Sequence, residues 1–271
     1  MKIGFMQGRL LPSIKNKIQF FPEKNWKKEF TLANQLGLKN MEWTLDYKNL
    51  NKNPIFSKAG KEKIKKLSKE YKVKINSLTG DCFMQKPFWR TKDPNRYIQN
   101  LKKTIVACGG LKIKYICFPL VDNSSIKNKT EENKIIVELN KLNKLLSKNK
   151  VQILFESDYS PKKLKNFISK FDKKNFGINY DTGNSAGLNY NVDQEFKQYG
   201  RYIKNIHLKD RIRYGATIRL GEGNANFKKI FQKIKKIKYN GILVLQTARA
   251  KKKQNDVNEI MINLNYIKKF L

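Results

Sequence analysis

The sequence predicts an α/β fold, a single (β/α)8 barrel occupying residues 1–271. Eight short, strand-like runs alternate with Lys-rich amphipathic segments over the whole chain. Their starts lie roughly 25 to 40 residues apart, room for one crossover helix each. Neither GxGxxG nor GxxxxGK[ST] follows the first strand, so a doubly wound nucleotide-binding sheet lacks its signature. No Pro/Gly/Ser-rich linker divides the chain, and the length suits one barrel domain.

Taken in order, the first strand is "KIGFMQ" from Lys2, followed by "QGRLLP". The helix "NWKKEFTLANQLGL" stops at Gly37, a residue suited to a helix C-terminus. "KNMEWT" from Lys39 and "KINSLT" from Lys74 flank the helical "KEKIKKLSKEYK". "DCFMQKPFWR" then offers Phe83, Phe88 and Trp89 either as a surface for a sugar ring or as packing. "DPNRYIQNLKKTIVACGG" opens with Asp93 as cap and Pro94 in the first turn and is expected to end at Gly109. "KYICFPL" from Lys114 and "VQILFES" from Val151 are the next strands, and "SPKKLKNFISKF" repeats the capped opening with Ser160 and Pro161. "NFGINYD" from Asn175, "IKNIHLK" from Ile203 and "GILVLQT" from Gly241 complete the eight, with "FKKIFQKIKKIK" between the last two.

The net charge of +36 raises nucleic acid as a partner. The excess is lysine, 50 against 8 arginines, and it is spread over every helix rather than gathered on one. With abundant Asn and Ile, this matches drift in an AT-rich genome. Arginine, the better reader of bases and phosphates, is scarce, so no specific nucleic-acid partner is expected. No run of about 18 apolar residues is present, so no membrane span is expected. The opening "MKIGFMQGRLLP" has too short an apolar run for a signal peptide. Cys82, Cys108 and Cys117 lack ligand spacing and fit a reduced, cytoplasmic setting.

In such a barrel, chemistry gathers where the strands end. These positions hold Gln7 and Arg9, Glu42, Asp81, Asp122, Glu156 and Asp158, Asp181, His207 with Lys209 and Asp210, and Gln246. His207 is the only histidine in the chain. Glu156, Asp181 and His207 stand on successive strands and are good divalent-metal ligands, suited to Mn, Mg, Co or Zn with positions left open for substrate. Acidic residues also cap helices after strands, which explains Asp158 well, but Glu is a weak cap and Glu156 directly follows the apolar "VQILF". Six arginines (Arg9, Arg90, Arg211, Arg213, Arg219 and Arg249) fall in loops on this side and suggest an anionic substrate, unless they pair with rim carboxylates.

"FMQGRL", "ILFESD", "NYDTGN", "IHLKDR", "LGEGN" and "GILVLQTAR" together resemble the sugar phosphate isomerase/epimerase family, the xylose isomerase-like TIM barrels, over nearly the whole chain. The "QGRL" and "LQTAR" versions look most similar to members associated with surface-polysaccharide sugars. The resemblance implies one divalent metal held by Glu156, Asp181, His207 and residue 246. It implies two glutamates moving protons on opposite faces of an enediolate. Arg213 matches the family's arginine after the histidine, and Asn184 stands where many relatives have a histidine. Arg9, Glu42, Asn184, Lys209, Arg213 and Arg249 are the expected substrate contacts, for a small anionic sugar; a homo-oligomer is left open. DNA-repair endonucleases of the same superfamily need several histidines, which this chain lacks.

The departure is at 246, where Gln replaces the second glutamate. Its carbonyl can ligate a metal, but its amide cannot accept a proton at neutral pH. Glu156 could then act alone, as in aldose–ketose isomerisation. Another acid, such as Glu222, Asp210 or Glu42, could serve. Otherwise the chemistry has changed, to dehydration or to binding alone.

Overall fold

The structure, a computed structural model, describes residues 1–14, 17–250 and 255–271. Eight parallel strands close into a barrel: β1 (Lys2–Met6), β2 (Asn40–Thr44), β3 (Lys74–Thr79), β4 (Tyr115–Leu120), β5 (Gln152–Ser157), β6 (Phe176–Asp181), β7 (Ile203–Leu208) and β8 (Ile242–Leu245). Each strand pairs with its sequence neighbours, and β8 closes on β1 with Phe5 opposite Leu245. All eight expected strands are present, within two residues of their expected ends.

The surrounding helices follow from apolar spacing. The helix Phe227–Lys236 buries Phe227, Ile230, Phe231 and Ile234, a one-sided stripe, and leaves its lysines on the other face. Asp93 accepts the Arg96 N–H at 3.2 Å, capping the helix Pro94–Leu111. That helix runs through Gly109 and Gly110 and ends instead at left-handed Lys112. Gly109 serves packing: a Cβ there would lie 2.7 Å from Asn149 Oδ1. Ser160 precedes its helix as expected but forms no side-chain cap bond. Between strands and helices, Phe155 meets Phe118, Phe167, Phe171 and Phe176, with ring centroids 4.9 to 6.3 Å away. Phe83, Phe88 and Trp89 are buried, and the first and last pack on Phe118, so this loop is packing rather than an open sugar platform.

The lumen departs from the branched apolar filling usual for this architecture. Glu42 of β2 accepts hydrogen bonds from Ser77 Oγ of β3 at 2.6 Å and from Asn205 Nδ2 of β7 at 2.9 Å. Strands β2 and β7 are not neighbours, so these side chains meet across the barrel. Asn205 also donates to Asn179 Oδ1 of β6 at 2.9 Å. The polar set is buried yet bonded, as burial of such groups demands.

Candidate active site

Side chains two apart on a strand share a face. Asn179 and Asp181 on β6 therefore point the same way, as do Asn205 and His207 on β7. Asp181 and His207 stand opposite each other in register. The result is a ladder: two asparagines deep in the lumen and two metal-type donors above them.

His207 is fully buried between two carboxylates. Its Nε2 lies 2.7 Å from Glu42 Oε1, and its Nδ1 lies 3.1 Å from Glu156 Oε2 and 2.9 Å from Asn179 Nδ2. Burial opposes charge on the ring, but Glu42, with hydrogen bonds to Cys117 and Glu156, holds its pKa well above the ordinary value. Glu156 is likewise buried, yet the bond and charge of His207, with Lys209 and Asn179, keep it below the usual carboxylate range. Asn184 Nδ2 donates to Glu156 Oε1 at 2.8 Å. Asn184 Oδ1 in turn accepts from Lys209 Nζ and from Arg211 Nη1, each at 3.3 Å. Lys209 Nζ also lies 3.4 Å from Asp181 Oδ2.

Ligand atoms of Glu156, Asp181 and His207 all lie within 4.8 Å of one another. With Nε2–H donated to Glu42, loss of the Nδ1 proton to a bound cation would leave the Nδ1 lone pair facing these carboxylates, the tautomer a metal ligand needs. Gln246 contributes a further sign: its amide Oε1 is buried without a hydrogen-bond partner among the described residues, while its Nε2 donates to Gln19 Oε1 at 2.9 Å. A buried acceptor left open is costly without a cation or water. Three charged or imidazole donors plus an open amide oxygen fit a divalent cation. A second grouping, Glu42, Cys117 and His207, fits one poorly. Burial, with Glu42 beside it, pushes the Cys117 thiol up to about 12, and a metal site requires the thiolate.

Several expected site residues lie elsewhere. Glu42 has no solvent exposure and sits beneath His207, so it supports a ligand rather than touching substrate. Glu222 is on the rim, paired with Arg219 at 3.3 Å, and is not brought to Glu156. Asp210 is spent on four backbone N–H groups, those of Arg211, Gly221, Gly223 and Ala225, at 2.9 to 3.0 Å; it organises the "GEGN" loop. Arg9 donates to the Thr247 and Ile18 carbonyls, and Arg249 to those of Gly8, Leu11 and Ile18. Arg90 and Arg219 hold Glu131 and Glu259. These forks fasten loops, because a guanidinium is the side chain with enough donors to satisfy several carbonyls at once. Arg213 is exposed, and its main chain alone is bonded, to Asn224 Oδ1. Arg211, not Arg213, reaches the site through Asn184. Arg211 is one of the six arginines expected on this side, whereas Asn179, Asn205 and Gln19 are not among the expected site residues; the two asparagines are marked only by their place two residues before Asp181 and His207.

The model of a family described as xylose isomerase-like TIM barrel matches residues 30–269. The inosose dehydratase of Clostridium botulinum is 23% identical over 173 residues, 55% of this chain and 58% of that protein. The chain spans 31% and 58% of the lengths of two curated relatives it matches. Among solved structures, the D-allulose 3-epimerase of Methylomonas sp. superposes with a TM-score of 0.78 at 13% identity, covering 100% of this chain and 98% of that one. The IOLI protein with a bound zinc atom superposes at 0.76 and 15% identity, covering 100% and 99%. At such identities the likeness concerns the fold. Among the described residues no helix is long and apolar enough to cross a membrane.

Proposed function

Because the chain belongs to the xylose isomerase-like TIM barrel family, we propose that it is a divalent-metal-dependent sugar isomerase or epimerase. The reading rests on one observation: Glu156, Asp181 and His207 converge within 4.8 Å, with Glu42 orienting the imidazole. A relative named inosose dehydratase and a fold shared with a D-allulose 3-epimerase are consistent with sugar or polyol chemistry. Glu156, Asp181 and His207 would hold a divalent cation, which would supply Lewis-acid polarisation of a substrate carbonyl.

Glu156 is the base for the proton on the carbon beside that carbonyl. It is ionised, and Asn184 and Asn179 fix its two oxygens. Asp181, and the open Gln246 Oε1, would serve as further ligands to such a cation. Lys209 and Arg211, both on Asn184 Oδ1, form a positive edge that favours a substrate carrying phosphate or carboxylate. Gln246 cannot take a proton, so a symmetric exchange between residues 156 and 246 is closed to this chain. Dehydration of a keto-polyol is the second reading. It needs one base at carbon, and both Gln246 and the dehydratase relative favour it.

Elemental analysis of purified protein beside His207→Ala tests the site. About one Mn, Mg, Co or Zn per chain, lost in the variant together with the thermal shift on adding metal, is expected. No metal and no shift with any of the four sinks the reading. Incubation with keto-sugars in D2O then separates isomerised from dehydrated product by mass.

A further inference from the structure

We propose that Asp81 is the second proton-transfer group of this site, supplying the step that residue 246 cannot. The proposal rests on the enolising role of Glu156 given above. It comes from following the carboxyls around the site. Glu42 is bound to His207, Ser77 and Asn205. Asp210 is spent on four N–H groups, and Glu195 accepts from Tyr180, Ser185 and Tyr199. Asp158 is held by Ser125, and Asp46 by the Phe21 N–H and Gln85. Glu222 is on the rim with Arg219.

Asp81 differs from all of these. It lies just beyond the end of β3, buried, with a single short bond, from Gln19 Nε2 to its Oδ2 at 2.6 Å. Its other oxygen has only a long contact with Thr79 Oγ1, at 3.4 Å. The same Gln19 accepts from Gln246 Nε2 at 2.9 Å, so one amide links Asp81 to the position that lost its carboxylate. Among the described residues Asp81 forms no ion pair, and the nearby positive charge of Arg9, whose guanidinium is bonded to the Thr247 and Ile18 carbonyls, acts on it only at longer range. Burial, then the charge of Asp46, with Glu156 adding to the rise, outweighs the Gln19 bond and the Arg9 charge and lifts it to about 7. At neutral pH it can therefore hold a proton to give.

The step balances without a co-reactant. Glu156 takes the proton from the carbon beside the carbonyl, the C–H electron pair becomes the C=C bond of an enediolate, and the C=O π pair moves onto the carbonyl oxygen. An oxygen pair then re-forms the C=O bond, the C=C pair takes the proton of Asp81–H on the opposite face of that carbon to form the new C–H bond, and the centre is inverted. Glu156 ends protonated and Asp81 ionised, and exchange with solvent resets both.

The experiment uses the Mn-loaded full chain in D2O with D-fructose, D-tagatose, D-allulose, their 6-phosphates and an inosose. NMR follows deuterium entry at the carbon beside the carbonyl separately from formation of the inverted sugar. The expected result in Asp81→Asn is retained deuterium entry, within about threefold, with inversion lowered by about 10² to 10⁴. Asp81→Asn/Gln246→Glu, which returns a carboxylate to 246, recovers inversion. Glu156→Gln loses both. Melting curves establish that each variant is folded, and Asp81→Glu is the control should Asp81→Asn fail to fold; it retains inversion. Inversion unchanged in Asp81→Asn overturns the proposal, as does equal loss of exchange and inversion. Wild type that takes up no deuterium from any of these sugars removes the Glu156 reading, and this proposal with it. Loss of water instead of inversion overturns Asp81 as a donor to carbon while leaving Glu156 as the base.

Discussion

Glu42 is closed to solvent, and the proposed metal site rests on it. Its Oε1 takes the His207 Nε2–H, and its Oε2 takes Ser77 and Asn205. An amide here must turn its NH2 toward one of these donors, so Glu42→Gln loosens the ring or breaks the lumen network. Its expected effect is a loss of about 10- to 100-fold in Mn affinity by titration calorimetry, with the barrel still folded. Unchanged affinity would mean that the Asn179 side of the ring alone sets its orientation. His207 was legible because one imidazole at a strand end has few uses, and Glu156 because Glu caps helices poorly. The arginines were harder to place: Arg9 and Arg249 spend their donors on backbone carbonyls, which leave no trace in the sequence, while Arg90 and Arg219 pair with carboxylates. The Asp81–Gln19–Gln246 path joins residues 62 and 227 positions apart, beyond any local pattern.

The elements themselves were readable, since strand length, helix spacing and caps are local properties. Their connecting loops were not, and the first shows why. After β1 the chain is held by Glu29 of the helix Lys28–Gln35, whose Oε1 accepts the Gly8 and Leu10 N–H groups at 2.7 and 3.3 Å. Gly8 has φ +90°, and a Cβ there would lie 2.7 Å from the Phe20 carbonyl oxygen, so the turn requires glycine. Burial pushes Glu29 from 4.5 to about 8, against the pull of those two N–H bonds. Between those values the folded chain holds a proton that the unfolded chain has released, so stability falls as pH rises through that window. Asp81, raised to about 7, acts with the same sign. Glu29→Gln keeps an acceptor for both N–H groups and removes the titration. Denaturant melts from pH 5 to 8 are expected to show a shallower decline in the variant than in wild type. Parallel curves would mean that Glu29 stays ionised in the fold.

For the whole molecule, charge is the dominant feature. Fifty-eight basic residues stand against 22 acidic ones. Among the described residues, ion pairs involve only six of the 50 lysines: Lys129, Lys141, Lys170, Lys209, Lys229 and Lys233. Most lysines therefore repel one another across solvated helix faces, and that repulsion is larger in the compact state than in the expanded one. Salt shortens its range to about 10 Å at 0.1 M. Raising NaCl from 20 to 300 mM should increase the melting temperature, the reverse of a surface stabilised by ion pairs. The same field draws anions toward the positive edge of Lys209 and Arg211. Any anionic substrate should accordingly show a kcat/KM that falls with salt, while a neutral sugar shows none of that fall. Calorimetry and kinetics on one salt series separate the two effects. A melting temperature that rises while kcat/KM for a sugar phosphate stays flat would leave the lysines as a solvation layer only and remove charge from the selection of substrate.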